Sequence, residues 1–283
     1  MAGAYWEQVH ASGLAVPSDR ALDDLTAELT TMLGDTDPAL RDGTAYSTLA
    51  TWVGRGVYDD LLTGLGDGMA TGLGVGLGER DTDTVFRRSF SGLVLGECIA
   101  RDIERPLVVG SKVLEWGDRL ATWLLRERDL RGFVPGKGWA HALAHGADAM
   151  ATLARSPHVA RPELTVILDV VADRVLMPIE RPLTNDEADR LANITMEVLR
   201  RELLSLSIVE PWIARLVAGA SARATRNDHD PSLTRGNAES FLRSLYLQLA
   251  LGQRPPEGRS DLLLVMVDAL RTTNPHTLQQ RSR

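Results

Sequence analysis

Apolar residues recur at helical intervals along much of the chain. In "ELTVILDVVADRVL", residues 163 to 176, Leu164, Ile167, Leu168, Val171 and Val175 fall on one stripe, the spacing of a helix that buries one face. Phe241, Leu242, Leu245 and Leu249 repeat the pattern, as do Leu191, Ile194 and Val198, and earlier Val113, Trp116, Leu120 and Trp123. No stretch of convincing length alternates apolar and polar residues as a half-buried strand does. The pattern predicts an all-α fold.

Between the stripes, short segments with acidic, Asn or Pro signals and a following Arg recur, with acidic anchors at Asp37, Asp81, Asp129, Asp186 and Asp230. Their spacing lies close to the period of roughly 40 to 47 residues of paired-helix HEAT-like repeats. In such a repeat the acidic residue caps the second helix of each pair, and an Arg one turn onward bridges to a neighbouring acidic group. The expected architecture is a HEAT-like superhelix of antiparallel helix pairs, a single helical-repeat domain over 1–273 with a polar, disordered tail over 274–283. One stretch departs from the pattern: "LLTGLGDGMATGLGVGLGERD" has glycines at 64, 66, 68, 72, 74, 76 and 78. Each costs a helix up to about 1 kcal/mol relative to alanine, so the backbone loops here or a neighbour approaches very closely; a loop or frayed helix is expected.

Composition narrows the function. The chain has 44% hydrophobic, 24% charged and 5% aromatic residues and a formal charge of -7, a balance that argues against a nucleic-acid partner, whose backbone demands a basic stripe. The Arg pairs at 87/88 and 200/201 therefore read as ion-pair partners or solvated faces. The lone Cys98 permits no internal disulfide and reads as a small buried hydrophobe. With no basic-then-apolar leader and no run of about 18 uncharged apolar residues, neither export nor a membrane span is expected, and the chain is read as cytoplasmic.

The densest chemistry lies in "RGFVPGKGWAHALAHGADAM", residues 131 to 150. Its "GFVPGKG" is no phosphate loop, because three residues rather than four separate Gly132 from Gly136 and Lys137 is followed by Gly138. A glycine turn before a helix start still leaves Lys137 able to attract an anion or to lie solvated. Placed on a helix, His141, His145 and Asp148 fall within about 40° of one face. Two histidines at this spacing can chelate a metal, but Ala142 stands where a zinc protease carries its catalytic Glu. Trp139, among glycines and alanines, is expected to be packed.

The string "ERDLRGFVPGKGWAHALAHGADAM", with "LGERDTDTVFRRSFSGLVL" before it and "NDEADRLA" and "FLRSLYLQL" after it, resembles an uncharacterised bacterial family, domain of unknown function 2785, over Trp6 to Leu251. The resemblance implies an all-helical, HEAT-like architecture and no established activity. Phe86, Arg88, Ser89, Phe90, Arg131, Gly132, Gly138, Trp139, His141, His145, Gly146, Ala147 and Asp148 match its pattern.

If the second helix of each repeat faces inward, Arg41 and Asp42, Arg88 and Ser89, Trp139 with His141 and His145, Arg190 with Asn193, and Asn237 with Arg243 and Tyr246 line one concave groove. The expected function is a soluble binding or scaffold protein holding a peptide, a partner protein or a small polar ligand, with Arg88, Ser89, Arg131, Trp139, His141, His145, Asp148, Arg190, Arg243 and Tyr246 as groove residues and no cofactor. The alternative is a metal-dependent hydrolase with His141 and His145 as ligands and Glu127 or Asp129 as general base.

Overall fold

The computed structural model describes residues 2–221 and 230–278, which fold as two compact units, Met1–Ala149 and Met150–Arg283. Both are built from helices, so the all-α expectation holds. Among the described residues no helix is long and apolar enough to cross a membrane.

The first unit opens with α1 (Ala2–Ala11) and α2 (Leu22–Met32). A π-helical stretch, Ala39–Tyr46, then runs directly into α3 (Ser47–Gly54), and a short turn leads to α4 (Leu62–Gly72), α5 (Thr84–Glu104) and α6 (Gly110–Arg126). The long α5 is the spine: α3, α4 and α6 all pack on it, and it buries Val85, Phe86, Phe90, Val94, Leu95, Cys98 and Ile99. Burial pushes the Cys98 thiol far above its ordinary range, in keeping with an inert core residue. Four tryptophans of this unit are buried, and each indole N–H has a partner: Trp6 to Glu28 at 2.9 Å, Trp52 to the Leu14 carbonyl at 2.9 Å, Trp116 to Asp67 at 2.9 Å and Trp123 to Glu127 at 2.8 Å. A buried indole left unpaired would cost the desolvation of its donor.

The glycine-rich stretch, expected as a loop or frayed helix, is a helix in its first half and a turn in its second. Close approach is the reason. A Cβ on Gly66 would lie 2.2 Å from Trp116 Cζ2, and one on Gly72 would lie 2.2 Å from Ser91 Oγ, so α4 can sit against α5 and α6 only without side chains there. The chain turns only after Gly72, through residues 73 to 78.

Beyond α6 comes a feature that alternation could not reveal, a hairpin of two two-residue strands, β1 (Phe133–Val134) and β2 (Gly138–Trp139), paired antiparallel with Phe133 opposite Trp139. Helix α7 (Ala142–Arg155) follows and runs across the division between the units.

The second unit holds α8 (Arg161–Leu176), α9 (Glu187–Arg200), α10 (Leu206–Ser221), α11 (Pro231–Leu251), α12 (Arg259–Thr273) and the single turn α13 (Pro275–Leu278). Helix α10 packs on both α8 and α12, and α9 packs on α11, so even and odd helices form two tiers joined by contacts between successive helices. Leu164, Leu168, Val171, Leu191, Ile194, Val198, Phe241, Leu242, Leu245 and Leu249 are all buried, as the stripes require. The expected tail thus begins with a helical turn, in which Leu278 N–H donates to the Asn274 carbonyl at 3.0 Å; residues 279–283 lie outside the described residues.

The acidic anchors do not share one role. Asp37 accepts the Ala39 N–H at 2.8 Å and Asp230 the Ser232 N–H at 2.9 Å, as capping predicts. Asp186 sits at the start of α9 without a side-chain cap bond, while Asp81 and Asp129 both serve Arg131. Of the Arg pairs, Arg200 bonds Glu197 at 2.7 Å and Arg201 bonds the carbonyls of Ala154 and Ser156 at 2.7 and 2.8 Å.

The glycines of α4 predict opposite responses to one methyl group. Gly66→Ala forces a carbon into Trp116 and should lower stability by about 1–3 kcal/mol, as overpacking does. A Cβ at Gly64 or Gly68 meets nothing within 4 Å, so Gly68→Ala should raise stability by about 0.5–1 kcal/mol. Urea denaturation of both variants checks the pair; equal effects would show that α4 does not pack on Trp116 as described.

Candidate functional site

The residues singled out in the sequence rest on three arginines, two of them fully buried. Arg88 on α5 is fully buried and grips Glu127, at the end of α6, with two bonds of 2.6 and 2.9 Å. Its remaining nitrogen bonds the Val75 and Gly76 carbonyls at 2.8 and 3.0 Å and Thr84 Oγ1 at 2.9 Å. Glu127 in turn accepts from Trp123 Nε1 and from the backbone N–H groups of Arg128 and Asp129 at 3.0 and 2.9 Å. Arg131 holds buried Asp129 at 2.8 and 2.6 Å and reaches the Thr82 carbonyl at 2.7 Å. The segment after α6, which lacks regular structure, is thereby fixed by charge-assisted bonds.

Arg41 fixes the hairpin that follows. Also fully buried, it lies over the Phe86 and Phe90 rings at 4.2 and 5.0 Å and bonds Asp42 at 2.7 Å and the Asp35 carbonyl at 2.9 Å. Its last nitrogen reaches the carbonyls of Lys137 and Trp139 at 2.9 and 3.4 Å. Burial raises the Asp42 carboxyl above its usual range while Arg41 opposes the rise.

On this base Trp139 stands 42% exposed, contrary to the expectation of a packed ring. Cross-strand pairing explains it: the side chains of Phe133 and Trp139 share the outer face of the hairpin, with ring centroids 5.2 Å apart. On its other side Trp139 meets the His141 ring at 4.2 Å, and His141 meets His145 edge-on at 5.7 Å. His141 is not inside the helix. It precedes α7 with φ 48° and its carbonyl accepts the His145 N–H at 2.9 Å, so the two imidazoles do not project as a helical pair. Among the described residues, no three His, Cys, Asp or Glu side chains are grouped so as to hold a metal ion.

The chemistry of His145 is set by Ser89. Ser89 Oγ lies 2.8 Å from His145 Nδ1 and donates its single proton to the Ala140 carbonyl. The hydroxyl therefore accepts from His145 Nδ1–H. Ser89 itself is fully buried and is a positioning group rather than a nucleophile. Tyr46 continues the face: its hydroxyl donates to Glu97 at 2.9 Å, its ring meets Phe90, and burial, helped by Glu97 and Asp148, raises its hydroxyl far above the ordinary range.

The structure thus brings together Ser89, Trp139, His141 and His145, with Asp148 close enough to act on Tyr46, while Arg88 and Arg131 brace the segment that leads to the hairpin. Arg190, Arg243 and Tyr246 belong to the second unit; Arg243 is exposed and bonds Glu239 at 3.0 Å and Asn274. Lys137 is held by Asp83 at 2.7 and 2.8 Å rather than left for an anion. Sequence reasoning missed Phe133, Tyr46 and Glu97. Only Phe133 carried a signal, an aromatic at each end of "FVPGKGW".

The hydroxyl geometry makes a spectroscopic prediction. In long-range 15N–1H spectra at pH 8, His145 should show the Nδ1–H tautomer, and Ser89→Ala should shift its population toward Nε2–H. An Nε2–H ring in the unaltered protein would overturn the assignment.

No curated protein and no solved structure matches the chain. The model of a family described as "Protein of unknown function (DUF2785)" matches residues 73–247. That is a narrower stretch than the resemblance takes in: α1 to α4 fall before it, while α5, the hairpin, His141 and His145 all fall within it. With more than half of its length matched, the chain belongs to this family of unknown function.

Proposed function

We propose that this is a soluble, cytoplasmic helical-repeat binding protein, and that the face carrying Trp139, His141 and His145 takes a peptide, a partner protein or a small polar ligand. One observation carries the reading. Of the six tryptophans, five are buried, at 0 to 6% exposure, and Trp139 alone stands at 42%. An exposed indole flanked by a phenylalanine and two histidines, each on a braced backbone, is the arrangement that binding surfaces use: apolar area with few rotamers and polar groups at fixed positions. The imidazoles of His141 and His145 would lie beside the polar part of the ligand, and Trp139 and Phe133 would cover an apolar group.

The alternation of tiers in the second unit, α8, α10 and α12 against α9 and α11, supports HEAT-like stacking of helix pairs, an arrangement that generates extended binding faces. The hydrolase reading is the weaker one, because its candidate bases are engaged: Glu127 is bound by Arg88, Trp123 and two backbone N–H groups, and Asp129 by Arg131.

Selection of a random peptide library on the full chain tests the proposal. Selected peptides should lose at least tenfold in affinity on Trp139→Ala and on His145→Ala. Because its ring is half-exposed, Trp139→Ala should cost well under the roughly 3–5 kcal/mol of a buried tryptophan, so the loss can be read on folded protein. Peptides bound equally by both variants would contradict the assignment of the face.

A further inference from the structure

We propose that a groove between α2 and α4, in the first unit, binds a small organic cation: an apolar body carrying a protonated amine. The groove has a volume of about 430 Å³, inside the range of small-ligand pockets, roughly 300–1,000 Å³. Ala27, Leu61, Leu65 and Met69 give it an apolar lining, and Leu61 is held out at 48% exposure.

The glycines of α4 add a second argument. Gly66 and Gly72 are accounted for by Trp116 and Ser91, but Gly64 and Gly68, one turn apart, line the groove and have no atom near the place of a missing Cβ. Glycine inside a helix is unfavourable, and no contact within the chain offsets it at these two positions. A ligand lying against the bare backbone does.

The polar inventory sets the sign of that ligand. Asp23 and Asp60 line the groove, exposed, neither in an ion pair with any described residue, and no Lys or Arg lines it. Thr26 donates its hydroxyl proton to the Leu22 carbonyl at 2.7 Å, so the 2.8 Å contact with Tyr58 is donated by the tyrosine. The Tyr58 oxygen is left as an acceptor. Burial pushes this phenol up to about 12, so it stays protonated at neutral pH and keeps that role. Two carboxylates and an acceptor-only phenol beside an apolar wall are complementary to a donor-rich positive head on an apolar body. The groove precedes the residues matched by the family model and is separate from the Trp139 face.

Isothermal titration of the full chain with 2-phenylethylammonium, with 2-phenylethanol and 3-phenylpropanoate as neutral and anionic counterparts, tests the proposal. One saturable site is expected, with the ammonium bound at least tenfold more tightly than the alcohol and the carboxylate not bound. Gly68→Leu, whose Cβ meets no atom within 4 Å and whose side chain would occupy the groove, should abolish binding while the melting temperature stays at or above that of the unaltered chain. Asp60→Asn should weaken binding at least fivefold, and Trp139→Ala should leave it unchanged. No saturable binding of the ammonium, equal binding of the alcohol, or full binding by a folded Gly68→Leu variant would overturn the proposal. So would binding of a lysine-bearing helical peptide without any response to phenylethylammonium, which would make the groove a protein-docking surface.

Discussion

The first unit depends on one dehydrated ion pair, Arg88 with Glu127. Neither side chain reaches water, at 0 and 1% exposure, so each charge must be compensated inside the protein. The pair alone leaves donors and lone pairs over, and their partners are the Val75 and Gly76 carbonyls, Thr84, Trp123 and the N–H groups that open the segment after α6. A buried pair of this kind adds little net stability compared with well-packed apolar residues, but losing one partner strands a charge and is strongly destabilising. Its effect is to select one path for the turn after α4 and the segment after α6.

From that constraint the exposed face follows. Arg88 and Ser89 are adjacent on α5, so the helix that anchors Glu127 also presents the hydroxyl that orients His145. Arg131 and Arg41 extend the same logic outward, each satisfying carbonyls of irregular backbone with its guanidinium. The hairpin can then hold two large aromatic side chains outside the core. Exposed aromatic area is retained here because the backbone beneath it is fixed by polar bonds rather than by the rings themselves.

The sequence made the helices legible because burial on one face imposes a period of 3.6, and Leu164 to Val175 or Phe241 to Leu249 can satisfy it only as helix. It also made the capping roles of Asp37 and Asp230 legible, since a short acidic side chain before a helix has one obvious partner. It did not distinguish those from Asp81 and Asp129, whose partner Arg131 is selected by tertiary contact. Trp139 was misjudged because its glycine neighbours suggested close packing, whereas Gly136 and Gly138, at φ 75° and 76°, serve a tight turn that puts the ring outside. The four-residue spacing of His141 and His145 was plain, yet the left-handed backbone at His141 breaks the helical phase that the spacing assumed. The glycines of α4 were ambiguous for a similar reason: composition states the cost of each one, and only the position of Trp116 shows which of them offsets it.

The most direct test of the account is a double-mutant cycle on the buried pair, with Arg88→Met, Glu127→Leu and their combination compared by urea denaturation. Each single replacement should destabilise the protein by about 3–5 kcal/mol, because the surviving charge stays buried after losing the group that gripped it. The double variant should lose less than the sum of the two by at least about 2 kcal/mol, since coupled neighbours are not additive. Additive losses, within about 0.5 kcal/mol, would mean that the two side chains do not depend on each other, and would contradict the account.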